Sequence, residues 1–189
     1  MNVGCVLLAA GSGKRFGGNK LTHVVCGATM IEHALGLFSG LPFCVRVCVT
    51  RSGAETVCEG AKAHGFVTAI NPDPERGVGT SAAIGTLAAQ SLCPALDGLL
   101  FAVCDQPYLG EGSVKKLTDA FVAHPDNIVS LCWGGERGNP AIFPKKLFSE
   151  LSALDADVGG GAVIRKHPEL LLLVEAGSAR ELADVDTRA

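Results

Sequence analysis

Uninterrupted apolar runs alternate along this chain with stretches of helical period. Val3–Leu8 is the first apolar run and predicts a buried strand. Helical spacing follows over Met30–Ser39, then an apolar run over Cys44–Thr50. Ser52-Gly53-Ala54-Glu55 has capping-box spacing and predicts a helix to about Ala63. Phe66–Ile70 predicts a strand, and Thr80–Gln90 a helix with Thr80 as its N-cap. Gly98–Cys104 is the most apolar strand, followed by helix Gly112–Ala123 and strand Asn127–Cys132. Trp133-Gly134-Gly135 marks a turn before a short strand, Ala141–Phe143, ended by Pro144. Lys145–Ser152 and Gly161–His167 have helical patterns, and Leu170–Glu175 predicts the last strand. This β–α alternation implies an α/β fold: a single-domain, Rossmann-like three-layer sandwich with a mostly parallel sheet and helices on both faces. No repeat, low-complexity tract or linker interrupts it, so residues 1–189 are expected to form one domain.

Composition narrows the class. With 189 residues the chain can bury a sizeable core. Its 48% hydrophobic content suits central strands covered on both faces. A net charge of −3, no basic run and 5% aromatic residues argue against a nucleic-acid-binding surface. No apolar stretch reaches the ~20 residues of a membrane span, and no basic segment precedes the first strand, so a cytoplasmic protein without a signal peptide is expected. None of the eight cysteines forms Cys-x-x-Cys. Cys5, Cys44, Cys48 and Cys104 lie in strand-like runs and Cys132 ends another, which reads as buried, reduced thiols. Neither the cysteines nor the five histidines have metal-site spacing. His33 and His64 read as satisfied helix residues.

Candidate chemistry sits where strands end. After Leu8 comes Ala9-Ala10-Gly11-Ser12-Gly13-Lys14-Arg15-Phe16-Gly17-Gly18-Asn19-Lys20. Glycines let backbone N–H groups converge on an anion, and the cations add charge, so a polyphosphate is the natural guest. The loop is not a dinucleotide fingerprint: Phe16 occupies the next required glycine position, and Glu32, which falls in a helical pattern, is no strand-ending acid. Nor is it a Walker loop, because Asn19-Lys20 stands where Lys-Ser/Thr is needed. Asp105-Gln106-Pro107 follows the most apolar strand, and a carboxylate there is placed to hold Mg²⁺ together with substrate phosphates. Asn71-Pro72 precedes Gly77-Val78-Gly79-Thr80-Ser81, which turns into a helix N-terminus that favours anions and polar ligand edges, although capping alone also explains its hydroxyls. Arg137-Gly138-Asn139-Pro140, Asp157-Val158-Gly159 and Asp184-Val185-Asp186-Thr187 are further polar segments.

In this order, these segments resemble the molybdenum cofactor cytidylyltransferases, within a wider group of MobA-like NTP transferases of the nucleotide-diphospho-sugar transferase type. Residues 8–20 fit the family's first loop without a gap. Cys104 replaces the usual glycine before Asp-Gln-Pro, Val78 replaces a methionine, Arg165 comes later than the family's arginine, and Arg188 replaces a terminal proline. The resemblance implies transfer of CMP from CTP to molybdopterin with release of pyrophosphate. Ala10 in the first loop goes with CTP, where glycine goes with GTP. Leu8, Ala9, Ala10, Gly11, Gly13, Lys20, Gly79 and Ser81 would bind the nucleotide. Arg15, Lys20 and Asp105 would be catalytic. Asp105 and Asp186 would hold Mg²⁺, with Asp184 as the reserve. Asn139 and Asp157 would face the acceptor. A molybdenum hydroxylase is the implied recipient of the product. Three alternatives remain at this stage. One is a transferase for another base or acceptor (GTP, a sugar phosphate, an isoprenoid precursor). The others are an NAD(P)H-dependent oxidoreductase of the same family and a non-catalytic molybdopterin chaperone.

Overall fold

The computed structural model describes residues 1–11 and 20–185. Its centre is a seven-stranded sheet. The strands are β1 (Val3–Leu8), β4 (Arg46–Arg51), β5 (Val67–Asn71), β6 (Gly98–Val103), β7 (Ile128–Trp133), β8 (Glu136–Pro144) and β9 (Leu171–Glu175), ordered β5-β4-β1-β6-β8-β7-β9. A two-stranded ribbon of β2 (Val24–Val25) and β3 (Ala28–Thr29) stands apart. Only β8 runs antiparallel to its neighbours in the large sheet.

Alternation along the strands sends successive side chains to two cores. Cys5, Leu7, Cys48, Leu100 and Ala102 pack under α1 (Met30–Ser39), α2 (Glu55–Ala63) and α4 (Glu111–Ala123). Val6, Val47, Val49, Leu99 and Phe101 pack under α3 (Val78–Leu92), α5 (Phe148–Ser152) and α6 (Gly160–Lys166). Helix α3 lies so close to the sheet that a Cβ on Gly85 would come within 2.4 Å of Val6 and 3.0 Å of Val49. The expected three-layer α/β fold is present.

Several local expectations are corrected. The capping box is at Thr29, whose Oγ1 accepts from Glu32 N while Glu32 Oε2 accepts from Thr29 N, and not at Ser52, because α2 starts from Ala54 with no side-chain cap. Thr80 is not an N-cap: Gly77, at φ +121°, turns the chain into α3 earlier, and Thr80 Oγ1 donates back to Gly77 O. The last hairpin's second strand has nine residues rather than three, because β6 and β7 flank it and supply pairing along its length. Cys44 lies before β4 and is exposed, whereas Cys5, Cys48, Cys104 and Cys132 are buried and all eight thiols are free. His33 and His64 contact the carbonyl oxygens of Val25 and Gly60. Among the described residues no helix is long and apolar enough to cross a membrane.

Candidate active site

Strands β1, β4, β5 and β6 all end at one edge of the sheet, where loops of an open α/β sheet bind ligands. Leu8 and Val103 pair at that edge, so the loops after β1 and β6 emerge side by side. Because β8 is antiparallel, its opening residues, Arg137 to Asn139, arrive at the same edge.

Ala9 N donates to Val49 O and pins the chain as it leaves β1. Lys20 then opens a 3-10 turn, Lys20–Thr22. Its Nζ lies 2.8 Å from Asp105 Oδ2, with the two side chains 15% and 26% exposed. Asp105 Oδ1 is buried and accepts no hydrogen bond from the described residues. Among the described residues, one carboxylate therefore holds a cation with one oxygen and keeps the other unspent. That donor set fits a divalent ion taking its remaining ligands from phosphate oxygens. Cys104 is fully buried beside it. Burial raises its thiol well above the ordinary range, reinforced by Cys48, Asp105 and Cys5, so it stays neutral and is no nucleophile.

Residues 180–185 are tied to this loop. Val185 N donates to Asp105 O at 3.0 Å, and Gln106 Nε2 donates to Leu182 O at 3.1 Å and Asp184 Oδ1 at 3.0 Å. Glu181 accepts from Gly110 N, and Arg180 lies over the Tyr108 ring, 3.9 Å from its centroid.

Two cavities occupy the edge. The first, about 230 Å³, is lined by Leu8, Ala10, Gly11, Lys20, Ser81 and Asp105, with Val78, Val103 and others. The second, about 220 Å³, is lined by Phe101, Arg137, Asn139, Phe143 and Gly159–Gly161 and shares Leu8, Val78 and Val103 with the first. Phe101 and Phe143 meet edge to face there, 5.8 Å apart. A Cβ on Gly161 would lie 3.2 Å from Arg137 and 3.6 Å from Arg165, so both guanidinium groups border that glycine.

The structure thus gathers Leu8, Ala10, Gly11, Lys20, Ser81 and Asp105 around one cavity and places Asn139 in the next. Ala9 is buried behind them. Gly79 borders neither cavity: a Cβ there would meet the Asp155, Ala156 and Val158 carbonyl oxygens at 2.7–2.9 Å, and its N–H donates to Ala156 O. Its visible role is clearance for that loop. Asp157 is exposed and borders neither cavity. Gly13, Arg15 and Asp186 lie outside the described residues. Phe101 and Arg165 had no assigned part. Phe101 reads simply as strand core, and only its register opposite Ala141 brings it to the second cavity.

Residues 5–170 match the MobA-like NTP transferase domain. The chain belongs to that family. It is 30% identical over 96% of its length to nicotine blue oxidoreductase of Paenarthrobacter nicotinovorans, covering 91% of that protein. In fold it resembles a nucleotidyl transferase from Methanothermobacter (TM-score 0.80, 21% identity, 98% of this chain and 92% of that one). It also resembles Rv0371c of Mycobacterium tuberculosis in complex with manganese (TM-score 0.72, 19% identity, 93% and 90%). This MobA-like chain is accordingly an enzyme of the nucleotidyltransferase family.

Proposed function

We propose that this protein is a cytidylyltransferase that moves CMP from CTP to molybdopterin and releases pyrophosphate. The observation that carries the reading is the Lys20–Asp105 pair in the first of two adjoining cavities. One cavity has the cationic and glycine-lined wall a triphosphate needs. The other has an aromatic floor and two guanidinium groups beside Gly161, suited to a flat heterocycle bearing a phosphate. Ala10, 3% exposed and lining the first cavity, supports CTP through the family resemblance.

In the reaction an acceptor phosphate oxygen forms a bond to the α-phosphorus. The bond from that phosphorus to the bridging oxygen breaks, and its electron pair leaves with pyrophosphate. Such transfer depends on in-line positioning and charge neutralisation. Lys20, Arg15 and the Gly11–Gly18 amides are assigned to the departing phosphates. Leu8 and Val78, common to both cavities, would hold the reactants against each other, and Ser81 would hold the base, with Asn139 on the acceptor side. A divalent cation, Mg²⁺ in this proposal, would be held by Asp105 and Asp186 and would neutralise phosphate charge. The family resemblance further implies a cytoplasmic enzyme that hands its product to a molybdenum hydroxylase.

The test is pyrophosphate release with each nucleoside triphosphate, Mg²⁺ and molybdopterin. CTP with molybdopterin is the expected active pair. Release only with another base or acceptor would overturn the assignment. The similarity to a nicotine blue oxidoreductase favours a second reading, NAD(P)H-dependent reduction. Against it, the Glu32 carboxylate is spent on capping α1 and does not end a strand as a ribose-binding acid would. Loss of NAD(P)H absorbance with an oxidised heterocycle would decide for it.

A further inference from the structure

The hydroxyl of Ser81 is oriented by a residue outside the cavity. Asn71 ends β5, is 1% exposed, and uses its whole side-chain amide. Asp73 N donates to Asn71 Oδ1 at 3.0 Å. A backbone N–H can only donate, so this bond fixes which amide atom is oxygen. The Nδ2 group must then face α3, where it donates to Thr80 Oγ1 and Ser81 Oγ, each at 2.9 Å. Thr80 spends its proton on Gly77 O. Ser81 accepts from Asn71 but donates to no described residue, and it borders the first cavity while only 5% exposed. Its proton is therefore the donor that this network of described residues leaves for a ligand.

We propose that Asn71 is a positioning residue that occupies a lone pair of Ser81 and turns its hydroxyl proton toward the ligand, and so favours a base edge presenting acceptors, as cytosine does with O2 and N3. The inference rests on the reading of the first cavity as a nucleotide site. Asn71→Asp keeps the shape but reverses the polarity: a carboxylate accepts from both hydroxyls and leaves Ser81 facing the ligand as an acceptor only.

The experiment is calorimetric titration of the full chain with Mg·CTP and with Mg·tripolyphosphate, which has no base. Asn71→Asp should weaken CTP about tenfold, the scale of one lost hydrogen bond, while tripolyphosphate stays within about twofold. In a Ser81→Ala background, which itself weakens CTP, Asn71→Asp should have no further effect on CTP. Asn71→Ser removes the amide without adding charge and must shift the CTP-to-tripolyphosphate ratio in the same direction; it also serves if Asn71→Asp does not fold. Unchanged CTP affinity, an equal fall for both ligands, or additive effects of the two sites would overturn the inference. A wild-type protein that binds CTP no better than tripolyphosphate would instead overturn the nucleotide reading itself.

Discussion

Lys20 and Asp105 stand 85 positions apart and meet at 2.8 Å. Each was readable as chemistry from its own surroundings, a glycine loop and a strand end, but nothing local links them. The parallel pairing of β1 with β6 does so. Lys20→Ala should lower the rate of pyrophosphate release by ~10²-fold or more, as loss of a transition-state donor does. Circular dichroism should report an intact fold, since Lys20 belongs to a short turn at the cavity rim. Near-wild-type turnover would remove Lys20 from the mechanism. Ala10 makes the complementary test on the base. Ala10→Gly should narrow the ratio of CTP to GTP affinity, measured by calorimetry, and an unchanged ratio would move selectivity elsewhere, Ser81 first. Position 71 shows what residue-by-residue reading misses. Asn71 is a plain strand-ending asparagine until its three partners are seen, because a buried amide's role lies in its geometry.

At the scale of elements, helix and strand order was legible because buried parallel strands leave unbroken apolar runs, as in β1 and β6. Boundaries set by backbone clearance were not. Gly79 reads as a ligand glycine, yet it and Gly77 are places where the 155–158 loop comes too close for a side chain. Gly79→Ala should therefore destabilise the protein by about 1–3 kcal/mol in urea unfolding, as overpacking does. Gly36, inside α1 with nothing within 4 Å of an added Cβ, makes the contrasting case. Gly36→Ala should stabilise by about 0.4–1 kcal/mol. The capping box on the same helix gives a pH dependence. Hydrogen bonds from the Thr29 backbone and hydroxyl hold the Glu32 carboxyl below its ordinary range. A lowered folded-state pKa contributes stability above the unfolded value and loses it as pH falls through the folded value. The stability difference between wild type and Glu32→Gln should thus be present near neutral pH and vanish on acidification. A gap that persists in acid would show that the box does not depend on the ionised carboxylate.

Across the whole molecule, the cavities draw on segments spread from Leu8 to Ile164, which is why their shape was not legible from any one motif. The antiparallel β8 brings Arg137 and Asn139 to an edge otherwise built from parallel strand ends, and residues 181–185 close over the Asp105 loop. That closure distinguishes the two terminal acids. Asp184 Oδ1 accepts from Gln106 Nε2, and an asparagine can accept the same bond through its own Oδ1. Asp184→Asn should therefore keep the tail in place and retain most activity. Asp184→Leu cannot accept and should loosen the clamp, weakening Mn²⁺ binding measured by electron paramagnetic resonance. Asp186, one residue beyond the Val185–Asp105 hydrogen bond, is assigned to the metal, where the charge of the carboxylate matters as well as its shape. Asp186→Asn should lose Mn²⁺ affinity and lower turnover by ~10²-fold or more, the scale of a removed transition-state charge partner. The same measurements on Asp105→Asn should give a loss at least as large. If Asp184→Asn is inactive and Asp186→Asn retains full activity, the second acid is Asp184, and Gln106 is its positioning partner rather than a clamp for the tail alone.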